Sequence, residues 1–341
     1  MTTSPSTVAL APSEITVLAR AVSQAPSVHN TQPWRLRVRK SDVDLVERTA
    51  LRLPAHDPED RDRFLSCGAA LAHLQLAARV LRRCDTTSFP SEGTVVATVH
   101  AVPGASPDAS DLARYHAIGR RRSHRRRFRT EAVSEVDSTA VTAAGTEADV
   151  QVIEPGHLDA LGEMLGFATR VFRADPAYQR ELHSWTARTF GLHALGAEDG
   201  VPEAALSDEP LPAAGLVRWD TPVPDDARLT EHLEAERLLV FCTDGDTRHQ
   251  HLAAGAAVER AWLEATARGL AGSVLTQALH LRGFRELLAE RLDLPGVPQA
   301  IFRFGHPAVP VPPSPRRPLA DLLPDDFPGP RTEPDDPNRS T

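Results

Sequence analysis

The sequence predicts an α+β fold, with antiparallel or mixed sheets flanked by helices, in a chain whose second half echoes its first. Three observations point there. Helix-period segments alternate with short strand-like runs along most of the 341 residues. Two of the helical patterns are long, apolar and adjoin a strand. Within them, Gly68-Ala69-Ala70-Leu71 followed by Leu76 has the same spacing as Gly255-Ala256-Ala257-Val258 followed by Leu263. Small residues at such positions let helices approach closely, so by itself the echo equally fits two unrelated close-packed helices.

Ser13 as N-cap, with Ile15, Leu18, Ala19 and Val22 at helical spacing, opens a first helix that stops before Pro26. A polar loop from Ser27 to Pro33 follows. Trp34, Leu36 and Val38 alternate with arginines as one face of a strand, and Val43 to Val46 is its expected partner. Asp57 and Pro58 form an N-cap and N1 pair, so the first long helix is expected to begin there and to bury Phe64, Cys67, Gly68, Leu71, Leu74, Ala78 and Leu81. Thr94 to Val99 reads as a strand, Ser134 with Asp137 as a helix start, and Val150 to Ile153 as another strand. Helical patterns cover 157–174 and 176–190.

The stretch 191–230 has Gly and Pro throughout and no sustained period, which in a compact chain marks a functional loop, a lid or disorder. Leu238 to Cys242 fits a buried strand, about Thr247 to Gly269 a second long helix, Gly283 to Leu292 a shorter one, and Gln299 to Phe304 the last strand. The tail from Pro307 is proline-rich and is expected to be disordered beyond about Asp325.

Composition narrows the function classes. The hydrophobic fraction is 41% and the net charge is -8, so a general nucleic-acid surface is not expected and any anion site must be local. No apolar run approaches the roughly 20 residues of a membrane span, and the first residues lack a signal-peptide pattern, so a cytoplasmic location is expected. Cys67, Cys84 and Cys242 show neither disulfide arithmetic nor C-x-x-C spacing. His249 and His251 stand two apart, which on a helix separates them, so no metal site is expected. Neither a G-x-G-x-x-G turn nor a G-x-S-x-G elbow is present.

Three segments carry chemistry. Ser27, Asn30 and Gln32 in Ala25-Pro26-Ser27-Val28-His29-Asn30-Thr31-Gln32-Pro33-Trp34 supply short donors and acceptors suited to the edge of a polar ring or a polyol chain. Arg120 to Phe128 concentrates local positive charge, with Arg121, Arg122, Ser123 and Arg125 placed to meet a phosphate dianion; the same run also fits a solvated basic patch. Gly269 to Ser273 offers backbone that can approach a cofactor, and Arg316 or Arg317 offers a late cation.

Taken as ordered strings, these segments resemble the nitroreductase family, in its Acg-like actinobacterial subgroup, over most of the chain. Ser27-x-x-Asn30-x-Gln32-Pro33-Trp34 resembles the segment through which one nitroreductase subunit contacts its partner's FMN. Arg121-x-Ser123-x-Arg125 resembles the element that opens the fold and binds the FMN phosphate, ribityl chain and ring. Gly272 and Ser273 fall where the family's glycine loop lies by the flavin, and Arg316 or Arg317 where a late basic residue reaches the phosphate. The order departs from an ordinary member, because the first half has the amide loop without the arginine element and the second half the reverse.

The resemblance therefore implies an intrachain pseudo-dimer with a single FMN site, residues 1–119 and 120–315 standing for two subunits and 316–341 forming an extension. It also implies an oxidoreductase passing electrons from NADH or NADPH through FMN to a nitroaromatic, quinone or similar small acceptor, with no catalytic side chain and a monomer sufficing. The alternative is an FMN-storage or sequestering protein whose 191–230 segment covers the flavin.

Overall fold

The computed structural model describes residues 8–186, 198–202, 205–206, 216–222 and 225–323. Helix α1 spans Pro12–Ser23. Its N-cap is Ala11 rather than Ser13, because Pro12 presets the first helical φ and Glu14 Oε2 accepts the Ala11 amide at 2.7 Å. Strands β1 (Trp34–Arg39) and β2 (Asp42–Glu47) form an antiparallel hairpin. Helix α2 spans Arg61–Val80. It starts four residues after the expected Asp57 cap, because Asp57 is buried and its Oδ2 accepts the Arg63 amide at 2.9 Å, tucking in an extra turn.

Strands β3 (Arg83–Ser88) and β4 (Val95–Pro103) complete a first sheet of order β1-β2-β4-β3. Helices α3 (Ala109–Ile118) and α4 (Glu135–Gly145) lead to β5 (Gln151–Ile153). Then come α5 (Leu158–Ala174) and α6 (Pro176–Thr186), so the expected 176–190 helix is seen to Thr186 and its last four residues lie outside the described ones. The end of the expected 191–230 loop is helical instead: Asp225 caps α7 (Asp226–Glu234) by accepting the Arg228 amide. Strand β6 (Arg237–Thr243), helix α8 (Arg248–Ala267), strand β7 (Ala271–Leu275), helix α9 (Phe284–Arg291) and strand β8 (Val297–Gly305) follow, before a short α10 (Leu319–Leu322). The expected disorder beyond Asp325 concerns residues outside the described ones.

The second sheet has the order β5-β6-β8-β7, which repeats the first sheet strand for strand. Both are wholly antiparallel; the parallel element is confined to an isolated bridge between Ser123 and Gly272. In each copy the long helix runs between the second and third strands, so α2 and α8 are equivalent. They pack on each other in the centre, and both are buried on nearly every side, as two helices sandwiched between sheets must be.

The crossing is reciprocal. A Cβ on Gly68 would stand 2.2 Å from the Leu252 carbonyl oxygen, and one on Gly255 would stand 2.0 Å from that of Leu65. Each glycine thus admits the backbone three residues before its counterpart, the signature of a twofold contact written within one chain. No helix among the described residues is long and apolar enough to cross a membrane.

Candidate functional site

A cavity of about 120 Å³ opens where the two copies meet. Its floor is α2 and α8, through Leu65, Ser66, Ala69, Gly255, Val258, Glu259 and Trp262. The loop after α1 supplies Pro26 to His29, the arginine segment supplies Ser123 and Arg125, and the second sheet supplies Val274 and Ala300. The amide loop and the arginine element, about ninety residues apart in sequence, therefore form opposing parts of one pocket.

The loop wall is braced from below. Val28 donates its amide to Ser66 Oγ at 3.0 Å, and Gln32 donates its own to Ser27 Oγ at 2.9 Å. His29, Asn30 and Gln32 all have positive φ, at 46°, 56° and 51°. Three non-glycine residues in the left-handed region within four positions is a local cost that ligand clamps and active sites commonly carry.

Asn30 and Gln32 do not line the cavity. The Asn30 amide donates to Gly200 O at 3.1 Å and Pro315 O at 2.9 Å, while its oxygen accepts from Arg316 Nη1 at 3.0 Å. Gln32 donates to Glu198 O at 2.8 Å and accepts the Arg317 amide at 3.0 Å. The two side chains are clasps that hold residues 198–200 and 315–317 against the loop. Arg316 also reaches Ala25 O and Gln24 O, and Arg317 pairs with Asp199.

The arginine segment is braced from behind. Fully buried Arg303 pairs with Glu236 and donates to His124 O at 2.9 Å, Arg126 O at 3.1 Å and Ser273 Oγ at 3.2 Å. These bonds fix the backbone on both sides of Arg125, whose side chain lines the cavity and has no hydrogen-bonding or ion-pair partner among the described residues. Burial, and then the charge of Arg121, push the Arg125 guanidinium down to about 10. Arg121 is itself buried, 3.3 Å from Glu259 Oε1 and stacked over Trp262 at 4.5 Å, with Nη1 unsatisfied. Burial and then Arg121 likewise lower Arg316, to about 9. Arg121 thus lowers both Arg125 and Arg316, with the buried carboxylate of Glu259 opposing it at Arg316, an arrangement short of negative charge.

The remaining residues singled out from sequence play supporting parts. Arg122 is half-buried and donates to Gly119 O and Arg121 O rather than into the cavity. Gly272 and Ser273 stand in strand β7 and not in a loop, since their backbones pair with Phe304 and Arg303. The close approach that Gly272 permits is to protein: a Cβ would stand 2.5 Å from the Phe302 ring, and its carbonyl accepts the His124 amide at 2.8 Å.

Sequence reasoning missed a cluster beside the loop. Asp62 Oδ2 lies 3.2 Å from His56 Nε2 and 3.1 Å from His280 Nε2 and accepts the Thr276 hydroxyl, while Asp62 Oδ1 is 3.1 Å from Arg61. His56, Asp62 and His280 bring ligand-type atoms within 4.8 Å of one another. Arg61 already supplies the positive charge there, so the geometry reads as a hydrogen-bond hub. Only the Asp57-x4-Asp62 pairing at a helix start hinted at it; His280 arrives from more than 200 residues away.

A family model described as the nitroreductase family matches residues 215–306. A Mycobacterium tuberculosis protein named "Putative NAD(P)H nitroreductase" is 32% identical over 318 residues, covering 90% of this chain and 90% of that protein. This chain belongs to the nitroreductase family. The M. tuberculosis nitroreductase homologue named Acg is 28% identical over 312 residues, covering 88% of this chain and 92% of its own length. Among solved structures, the FMN-dependent nitroreductase NfnB from Mycobacterium smegmatis in complex with NADPH is 18% identical, covers 62% of this chain and 96% of its own, and gives a TM-score of 0.38. A nitroreductase from Anabaena variabilis covers 85% of this nitroreductase and 73% of its own chain at 12% identity, with a TM-score of 0.43.

Proposed function

We propose that this nitroreductase binds one FMN per chain in the cavity between its two halves and passes electrons from NADH or NADPH to a small oxidised acceptor such as a nitroaromatic or quinone. The observation that carries the reading is Arg125, without a partner among the described residues and beside Arg121, which also faces Arg316, over an apolar floor that includes Val258 and Trp262. That donor set suits a ligand with a flat ring and an anionic tail. When bound, FMN supplies the hydride and electron carriage. Arg121, Arg125, Arg316 and Ser123 neutralise phosphate and ring charge; Ser27 closes the opposite wall; Asn30, Gln32 and Arg317 keep that wall shut; Arg122, Gly272 and Ser273 shape the segment behind it. Residues 1–119 and 120–315 act as the two halves, with 316–341 as an extension that brings Arg316 back to the first half. A monomer in the cytoplasm suffices for this arrangement, and no nucleic acid takes part.

Storage of FMN under a cover is a second reading with a specific observation behind it. Leu216 lines the cavity, and Glu198 and Gly200 are fastened to Gln32 and Asn30, so parts of the 191–230 stretch touch the pocket and the loop that walls it. An absorbance spectrum of the purified chain with and without NADPH tests both. A flavin spectrum that bleaches anaerobically within seconds and returns on adding a quinone supports the reductase. A stable flavin spectrum that ignores both nicotinamides supports storage, and a colourless protein that takes up no FMN removes both.

A further inference from the structure

The cavity wall contains a ring with nothing to bond. His29 lines the pocket, is 3% exposed, and neither of its nitrogens has a hydrogen-bond partner among the described residues. An imidazole carries one donor and one acceptor when neutral, and burying both unmet is costly unless a ligand meets them. The placement is enforced by the chain itself. The backbone at His29 is held at φ 46° and ψ 21°, a left-handed conformation that only a few per cent of non-glycine residues adopt. Behind it the His56 ring packs edge-on, with centroids 4.5 Å apart, and His56 in turn is fixed by Asp62.

The electrostatic surroundings define what His29 can bind. Burial first, then His56 and Arg125, keep its imidazole well below the ordinary histidine range, with Asp62 opposing and His280 adding to the effect. The ring is therefore neutral at physiological pH. A neutral ring is a weak partner for a phosphate dianion, which the arginines serve better, and a good donor to an uncharged oxygen. We propose that His29 holds a terminal oxygen of the electron acceptor, a quinone carbonyl or a nitro oxygen, by donating its ring N–H, with His56 and Asp62 as positioning residues. This rests on the reading of the cavity as an oxidoreductase site and narrows the acceptor to molecules that present such an oxygen into it.

The test uses two ligands of nearly equal shape, acetophenone and cumene, on the oxidised holoprotein without nicotinamide. Affinity is measured by calorimetry and the bound carbonyl stretch by infrared difference spectroscopy. Wild type is expected to prefer acetophenone by about tenfold, with the stretch shifted to lower frequency, because a site built to bond an oxygen discriminates against the analogue lacking it. His29→Gly, which suits the positive φ, should abolish both the preference and the shift at unchanged flavin content and melting temperature. His29→Asn, which tolerates the same backbone and restores a donor, should recover part of each. Equal affinity for the two ligands in wild type, no binding of either, or a preference that survives in His29→Gly would overturn the proposal. So would loss of flavin in His29→Gly with the preference intact, since His29 would then serve the cofactor. A wild-type chain that takes up no FMN refutes the cofactor reading, while the same ligand pair on that protein still decides His29.

Discussion

At the residue scale, the site is built from charges left without their usual counterweights. Arg125 lines the cavity beside Arg121 with no carboxylate partner among the described residues. Arg125→Met is expected to weaken FMN binding by at least about tenfold, the order of one lost charge-assisted hydrogen bond, in a titration that follows quenching of FMN fluorescence. The flavin-free protein should melt no lower, because the substitution relieves repulsion with Arg121; a large drop in melting temperature would show that Arg125 is structural. Asp57 and His280 make a pair of opposite sign on the other side of the loop. Burial and the Asp62 charge push the Asp57 carboxyl up to about 6 from an ordinary 3.8, so the folded chain keeps a proton the unfolded chain gives up, and stability grows as pH falls through that window. Burial pushes His280 down to about 4 from 6.5, so the folded chain refuses a proton the unfolded chain takes, and stability shrinks as pH falls between those values. The two largely offset. Asp57→Asn removes only the first, so its stability should fall more steeply than wild type between pH 6 and 4, by roughly 1.4 kcal/mol per pH unit, in urea titrations at pH 4, 5 and 6.

At the scale of elements, the decisive contact is the crossing of α2 and α8. Because the atoms facing Gly68 and Gly255 are backbone carbonyls at 2.2 and 2.0 Å from a built Cβ, a methyl group cannot be absorbed by a rotamer change. Gly68→Ala and Gly255→Ala should each cost about 1–3 kcal/mol and lower the melting temperature by several degrees, despite the higher helix propensity of alanine. Both glycines were legible in the sequence as the echoed Gly-Ala-Ala, and so were most strands with an apolar alternation. What was not legible lacked such a pattern. Arg83–Ser88 reads Arg-Cys-Asp-Thr-Thr-Ser, and it is a strand because β4 offers it an edge. Ala109–Ile118 buries only Ala117 and Ile118, too little to give a periodic stripe. The start of α2 falls later than the N-cap signature at Asp57 implies, because sequence cannot reveal that this carboxylate turns inward to the Arg63 amide. For the site, the sequence offers Ser27, Asn30, Gln32, Ser123 and Arg125 as cofactor contacts; Ser27, Ser123 and Arg125 line the cavity, while the side chains of Asn30 and Gln32 fasten residues 198–200 and 315–317. His29 stands within the same string, and nothing in sequence tells a bonded histidine from an orphaned one.

At the scale of the whole molecule, one chain supplies both sides of a cavity that needs α2, α8, the loop after α1 and the arginine segment together. FMN should therefore bind with a stoichiometry of one per chain, and sedimentation velocity across a hundredfold range of concentration should show that occupancy does not depend on self-association. A chain cut to residues 1–119 is expected to aggregate or stay unfolded by circular dichroism, because α2 would present to water the whole face it buries on α8. The reciprocal glycines carry a last consequence for how such a protein varies. When two identical subunits make a site, every substitution is written twice and must suit both places at once. Here the strand order is repeated but the text is not: residue 29 and its counterpart in the other copy are separate letters. Either wall can be edited while its opposite is left alone, so a library confined to residues 27–29, which line the cavity, leaves the arginine segment and the clasps at Asn30 and Gln32 as written, a freedom a homodimer does not have.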